Sequence, residues 1–245
     1  MKVLIAGATG AAGLPILRAL LADPAVDGVT VLARRALPAW IALSPDAPTS
    51  HSKLTTLQDV DFLHYAPHVQ ESITTHDACI WALGKTTRGM TEAAYTEITV
   101  EYLHAFLGVL EARKANSAER PFRVVYLSGN GADPSEKSSI MFARVKGRAE
   151  NVLLSKALAS NGAIKAAILR PAYFFPSSAD ALHQRSAMER CAHVLLGKPL
   201  SVLMPSGVIS TEDMARFAVE AAKGRWSAKG PVFESSDMKR LAREA

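Results

Sequence analysis

The chain has 245 residues, 49% hydrophobic and 21% charged, which is enough apolar material for the core of one large domain. Lys and Arg outnumber Asp and Glu by 28 to 23, and the resulting charge of +5 suits an anionic ligand such as a phosphorylated cofactor. No dense basic stripe with interleaved aromatic residues is present, so we expect no nucleic-acid partner. No apolar run reaches the ~18 residues of a membrane span, so we expect no membrane partner.

The first predicted strand begins at residue 2, which leaves no stretch that reads as a targeting peptide. The sequence contains two cysteines, Cys79 in a predicted buried strand and Cys191 in a predicted helix. Two reduced thiols explain them more simply than a disulfide or a metal site. Four histidines between residues 51 and 76 lack the spacing of metal ligands. These features predict a cytosolic protein with no metal.

Residues 2–6 (KVLIA) form an apolar run with β-branched residues, which predicts a buried strand. A glycine pattern, GxxGxxG, follows at once, and a Leu- and Ala-rich helix is predicted over residues 14–22. This order of strand, glycine loop and helix is typical of dinucleotide binding, in which backbone N–H groups and the helix dipole meet a pyrophosphate. The expected cofactor contacts here are Gly7, Thr9, Gly10, Ala11 and Gly13.

The second predicted strand, residues 29–33, ends in Arg34 and Arg35. In NAD-binding proteins of this kind an acidic residue at this position bonds the ribose 2′-hydroxyl. Two arginines instead suit a 2′-phosphate, because guanidinium groups pair with phosphate. The pattern therefore favours NADP(H) over NAD(H), with a solvated charge pair as the simpler alternative.

Further strands are predicted at 53–57, 77–83, 122–128 and 166–170, and further helices at 65–72, 91–115 and 139–160. This alternation predicts an α/β fold with a doubly wound parallel sheet, the Rossmann fold. The loop after the fourth strand would face the cofactor, with Leu83 and Gly84 in contact with it. Whether Thr86, Thr87 and Arg88 bind a ligand or form an ordinary polar loop stays open.

From Pro171 onward the pattern loosens, and an aromatic segment at 173–175 fits either an apolar ligand or core packing. A helix is predicted over 180–196, a short strand over 200–203, and a helix over 211–223 with Thr211 as its N-cap. The sequence thus predicts one domain over 1–223, with a small substrate-capping segment at 171–223. We expect 224–245 to be a loosely ordered tail.

These motifs together resemble the atypical short-chain dehydrogenase/reductases, particularly the NmrA-like and Tat-interacting-protein-like branch. The resemblance spans roughly residues 1–223. It is carried by Gly7-x-x-Gly10-x-x-Gly13, Arg34-Arg35, Ala82-Leu-Gly-Lys-Thr-Thr-Arg88, Leu127-Ser128, Gly131-Ala-Asp133, Val145-Lys146-Gly147 and Leu169-Arg170-Pro171.

The resemblance implies that Ser128 orients a substrate carbonyl and that Lys146 holds the nicotinamide ribose, with Pro171 also beside the cofactor. A tyrosine four residues before the lysine transfers the proton in that family, and here the position is Phe142. A general acid is typically worth ~10²–10⁴ in rate, so carbonyl reduction needs another proton donor, such as Lys146 itself, Ser128 or Tyr173. Related reductases of the isoflavone-reductase type are thought to rely on lysine alone.

Two functions therefore stand side by side. One is an NADP(H)-dependent oxidoreductase acting on a small carbonyl, quinone or enone substrate. The other is a non-catalytic NADP(H) sensor that signals to a protein partner, which the loss of the tyrosine at Phe142 motivates. The oligomeric state stays open, with a homodimer among the alternatives.

Overall fold

The computed structural model describes residues 1–41, 52–111, 119–174, 180 and 209–243. Seven parallel strands form one sheet in the order β3-β2-β1-β4-β5-β6-β7. The strands are β1 (Lys2–Ala6), β2 (Gly28–Leu32), β3 (Leu54–Leu57), β4 (Ala78–Trp81), β5 (Phe122–Leu127), β6 (Ile164–Arg170) and β7 (Val232–Glu234). The predicted doubly wound parallel sheet is confirmed.

Helices cover both faces of this sheet. They are α1 (Gly13–Ala22), α2 (Pro67–Thr74), α3 (Glu92–Thr96), α4 (Tyr102–Glu111), α5 (Met141–Ala159), α6 (Thr211–Lys223) and α7 (Ser235–Arg243). A π-helical turn, Glu97–Glu101, joins α3 to α4, and a short 3₁₀ turn, Ser227–Lys229, follows α6. One core lies between the sheet and α1, α6 and α7, and a second lies beneath α2, α4 and α5. None of the helices in the described ranges has the length and apolar composition needed to cross a bilayer.

Strand β1 is central because its residues are apolar toward both faces. Val3 and Ile5 belong to the α1 core, while Leu4 and Ala6 belong to the other. The strand order reverses between β1 and β4, so the crossovers on either side leave a crevice at the carboxyl ends of these strands. The glycine loop opens into this crevice.

The prediction of a loosely ordered tail after residue 223 is wrong. Strand β7 adds to β6, and Phe233, Met238 and Leu241 are buried in the α1 core. The segment is short and mostly polar, so its apolar residues carry little signal until the sheet edge is present. The N-cap of α6 is Ser210, whose hydroxyl accepts the Asp213 N–H, and not Thr211.

Most of the predicted capping segment lies outside the described residues. This applies to the helix predicted at 180–196, apart from Asp180, and to the strand predicted at 200–203. Cys191 is also outside them. Cys79 is buried in β4, and burial raises the pKa of its thiol.

Candidate functional site

The glycine loop is built on close backbone approaches. Gly7 has φ of +83°, and a Cβ there would lie 2.5 Å from the Leu83 backbone nitrogen. A Cβ on Gly13 would lie 2.0 Å from the Gly7 carbonyl oxygen, so only glycine lets α1 start this close to β1. Gly10 is different, because a Cβ there would meet only the Gly7 oxygen at 3.4 Å. The absence of a side chain at Gly10 therefore leaves the backbone accessible on the open side of the loop.

The start of α1 offers N–H groups to an anion. Gly10 N–H bonds the Gly7 carbonyl at 3.1 Å, and Leu14 N–H bonds the Gly10 carbonyl at 3.0 Å. No side chain caps the helix at Ala12, and its first turn carries no acidic residue. Pro15 has no N–H, and the Leu14 and Ile16 N–H groups bond loop carbonyls, so the first turn meets a pyrophosphate with the Gly13 N–H and the helix dipole. The loop therefore fits the dinucleotide that the sequence predicts.

A cleft of about 490 Å³ opens at this loop, between the carboxyl ends of β1, β2 and β4. Seven predicted cofactor residues line it, namely Gly7, Thr9, Gly10, Arg34, Arg35, Leu83 and Gly84. Ala11 and Gly13 lie behind the lining, where the loop turns into α1. The sequence reasoning missed an aromatic wall, formed by Phe62 and Tyr102 with ring centroids 5.6 Å apart.

The cleft is basic. Arg34, Arg35 and Lys85 line it, and none of the described residues that line it is acidic. Both arginines are exposed and take part in no salt bridge within the described part of the chain. Arg34 is close enough to Tyr102 to oppose the rise in the pKa of that phenol, which burial chiefly causes. These charges would attract a phosphate group.

Lys146 lies beyond the cleft lining, on α5 against the end of β5. Its side chain is 6% exposed, and Nζ donates to the Tyr126 hydroxyl at 3.2 Å and to the Leu127 carbonyl at 2.9 Å. A Cβ on Gly84 would lie 3.9 Å from Nζ, so the ammonium adjoins the loop after β4. Burial lowers the pKa of Lys146 to about 8, against an opposing effect of Glu150.

The Ser128 hydroxyl is engaged in a buried network. It donates to Glu150 Oε1, and Glu150 is fully buried. Arg170 on β6 donates to the same carboxylate through Nε at 3.0 Å and to Glu234 on β7 through Nη1 at 3.1 Å. The carboxylates hold the pKa of Arg170 above its usual range. Ser128 therefore serves this network in the structure.

Phe142 is half-buried, and its ring tip rests on the backbone after β5. A Cβ on Gly129 would lie 2.5 Å from Phe142 Cζ, the carbon that would carry a tyrosine hydroxyl. Pro171 is buried nearby, and its carbonyl accepts the Asn130 N–H at 3.0 Å. The structure thus brings the predicted Ser128, Lys146 and Phe142 together at one strand end.

Glu150 and Tyr126 are site residues that the sequence reasoning missed. Residues 142, 146 and 150 share one face of a helix at four-residue spacing, which is a signal for Glu150. Tyr126 and Ser128, the residue after β5, are two positions apart, and in extended chain this spacing places both side chains on one face. Within the described ranges, no group of three His, Cys, Asp or Glu residues is placed to hold a metal ion.

No protein-family model matches the chain. The chain is 29% identical over 222 residues to the mitochondrial protein fmp52 of Emericella nidulans, covering 90% of this chain and 86% of that protein. It is 28% identical over 155 residues to the mitochondrial protein FMP52 of Candida albicans, covering 63% of this chain. That match spans 61% of the Candida protein, which is less than two thirds of its length.

These relatives overturn one expectation from the sequence. Both are named as mitochondrial proteins, so the prediction of a cytosolic location is wrong. That prediction rested on the start of the first strand, the lack of a long apolar run and the two cysteines, and none of these features identifies the compartment to which a protein is delivered.

Solved structures show the fold. A short-chain dehydrogenase/reductase family oxidoreductase from Burkholderia thailandensis has a TM-score of 0.69 at 17% identity, covering 99% of this chain and 96% of that one. The UDP-glucuronic acid 4-epimerase of Bacillus cereus, solved with NAD, has a TM-score of 0.65 at 16% identity, covering 96% and 76%. The chain therefore has the Rossmann fold that these short-chain dehydrogenase/reductase and epimerase structures share.

Proposed function

We propose that this protein binds NADP(H) in the cleft and is an oxidoreductase for a small carbonyl, quinone or enone compound. It would belong to the NmrA-like and Tat-interacting-protein-like branch of the short-chain dehydrogenase/reductases. One observation carries the proposal. A single basic cleft joins the glycine loop to Arg34 and Arg35 and ends near the buried Lys146.

Each part of the cleft has a role in binding. The Gly13 N–H and the dipole of α1 would hold the pyrophosphate, and the absence of a side chain at Gly10 lets it come close to the backbone. Arg34 and Arg35 would pair with the 2′-phosphate, and the ring of Tyr102 would wall the adenine end. The bound cofactor supplies or accepts the hydride.

Lys146 would move the proton. Two hydrogens of its ammonium bond Tyr126 and Leu127, which leaves one for a ribose hydroxyl or a substrate oxygen. With a pKa of about 8, the group can give up and regain a proton near neutral pH. Phe142 has no proton to give, and the Ser128 hydroxyl bonds Glu150.

The same observations favour a second candidate, an NADP(H) sensor. Phe142 and the engaged Ser128 remove two of the three groups that the family resemblance assigns to chemistry. A sensor would bind the cofactor tightly, turn over no substrate, and pass its redox state to a protein partner.

Titration with NADPH, NADP⁺ and NADH tests the proposal, read by quenching of the three tryptophans. We expect NADPH to bind better than NADH, and Arg34→Ala with Arg35→Ala to weaken NADPH binding ~10–100-fold, since a hydrogen bond to a charged group is worth ~1.5–3 kcal/mol. NADH binding should stay unchanged in that variant. The control is Arg243→Ala, an exposed arginine on α7 outside the cleft lining.

Equal affinity for NADPH and NADH in the wild-type protein would contradict the assignment of Arg34 and Arg35. A screen of carbonyls, quinones and enones for NADPH oxidation then separates the two candidates. Substrate-dependent oxidation supports the enzyme, whereas tight binding with no oxidation across all three classes, including in Phe142→Tyr, supports the sensor.

A further inference from the structure

Lys146 has a phenol partner on the strand below it. Tyr126 is fully buried in β5, beside Trp81 of β4 in the sheet register. Its hydroxyl oxygen lies 3.2 Å from Lys146 Nζ, and the ammonium also lies 4.8 Å from the centroid of the Tyr126 ring. The phenol and the Leu127 carbonyl thus hold the ammonium from the β5 side.

This arrangement fixes the direction of the remaining hydrogen. A lysine ammonium has three hydrogens on a flexible stem, and its direction is undefined unless bonds select it. Two hydrogens are used by neighbouring residues of one strand. The third can then point away from β5, toward Gly84 and the end of the cleft.

We propose that Tyr126 is the positioning residue for Lys146, whose ammonium its phenol holds from strand β5. Tyr126 has no exposed surface with which to touch a substrate, so it acts only through the lysine. Any effect of this positioning on proton transfer rests on the proposed function. The contact by which Tyr126 positions Lys146 is independent of it.

The charges around the pair predict the direction of the effect. Glu150 on α5 acts on Lys146 and on Tyr126, Tyr95 on α3 acts on Tyr126, and Arg170 on β6 neutralises Glu150. Burial, aided by Tyr95 and Glu150, raises the pKa of Tyr126, so the phenol stays neutral and accepts a hydrogen bond from the ammonium. Removal of the Tyr126 hydroxyl should therefore destabilise the charged form of Lys146 and lower the pKa of that lysine.

The test is a pH titration of lysine side-chain NMR signals in the ligand-free protein, with the Lys146 signal assigned by Lys146→Met. In Tyr126→Phe we expect the Lys146 midpoint to move down by about one pH unit, the size expected when a charged group loses a hydrogen bond. The control is Tyr65→Phe, which removes another buried hydroxyl from the same core, one without a hydrogen-bond partner among the described residues. It should leave the midpoint unchanged.

An unchanged or raised midpoint in Tyr126→Phe would overturn the proposal. Should that variant not fold, the wild-type protein still decides, because the Lys146 Nζ hydrogens must show a nuclear Overhauser effect to the Tyr126 ring, and its absence would also overturn the proposal. Both readouts use no cofactor. Failure of NADPH to bind would therefore sink the proposed function alone, and an unmoved midpoint with normal NADPH binding would sink the positioning role alone.

Discussion

Glu150 sets the limits on what Ser128 can do. A buried carboxylate costs several kcal/mol unless partners compensate it, and here Arg170 and Ser128 both donate to it. The charge is thereby neutralised and its oxygens are bonded. The hydroxyl that family resemblance assigns to a substrate is, in this molecule, part of what holds β5, α5 and β6 together.

Glu150→Gln should lower the free energy of unfolding by about 3 kcal/mol, because the buried Arg170–Glu150 pair loses one charge. Urea denaturation measures this. The matched control is Glu111→Gln, whose pair with Lys156 at 2.8 Å is partly exposed and should contribute less than about 1 kcal/mol. Equal losses in the two variants would show that burial of the Glu150 pair is not decisive.

Lys146 should make stability depend on pH. Burial lowers its pKa from 10.5 to about 8, so between these values the unfolded chain binds more protons than the folded one. The ammonium therefore destabilises the fold fully below pH 8, and stability rises from there to pH 10.5.

Lys146→Met removes the buried ammonium, so its gain in free energy of unfolding over wild type should be larger at pH 7 than at pH 10.5. The difference between the two gains should be roughly 3 kcal/mol, the value of a shift of about 2.5 pKa units. Urea denaturation at both pH values gives the difference. Lys165→Met, on the exposed part of β6, controls for the loss of one positive charge. If the free energy of unfolding depended on pH in the same way in Lys146→Met and in wild type, the lowered pKa of Lys146 would be contradicted.

At the scale of elements, one glycine decides where α5 lies. A Cβ on Gly147 would sit 1.8 Å from the Asp133 carbonyl oxygen, so the helix packs directly on the loop after β5. That contact places Lys146, the preceding residue, at the strand end. The Asp133 carboxylate in turn accepts the N–H groups of Ser135, Lys137 and Ser138 and fixes the loop.

Gly147→Ala should destabilise the protein by about 3 kcal/mol, because the new Cβ would clash with the backbone of Asp133, which cannot move aside as a flexible side chain can. Gly108→Ala on α4 is the matched control, because a Cβ there meets nothing within 4 Å. It should stabilise by about 0.5–1 kcal/mol through helix propensity. Thermal unfolding of the two variants should therefore shift in opposite directions, and a neutral Gly147→Ala would refute the contact.

Local patterns made the first elements predictable. The β1 strand, the glycine loop and α1 match the prediction to within a residue, and the helix predicted from residue 91 begins with Thr91 as its N-cap. The helix predicted over 91–115 is interrupted by the π-helical turn, which nothing in the residue pattern announces. The Ser128–Glu150 and Lys146–Tyr126 bonds join residues 22 and 20 positions apart, so no local pattern contains them.

For the whole molecule, the last elements complete both a core and the network around Glu150. Phe233 stacks edge-on against Phe217 of α6, and Met238 is fully buried. Glu234 reaches Arg170 across the β6–β7 pair. The end of the chain is therefore part of the domain, although it lies far from the cleft in sequence.

Deleting residues 232–245 should abolish cooperative unfolding, because it exposes the α1 core and the edge of β6. Near-ultraviolet circular dichroism and urea denaturation test this, with Leu241→Ala as a milder variant that should cost about 2–5 kcal/mol. A deleted chain that unfolded cooperatively at the wild-type urea midpoint would show that these residues contribute nothing to the core, as expected of a loosely ordered tail.

The position of β1 between β2 and β4 also has a consequence for folding during synthesis. Lys2 bonds Asp77, 75 residues later, and β1 pairs with β4 only after that stretch has been synthesised. At ~5–20 residues per second, β1 waits several seconds on the ribosome without one of its two neighbours. An unpaired strand of this kind is prone to aggregate. Chaperones that shield β1 during this interval should therefore improve the soluble yield more than any substitution in the cleft.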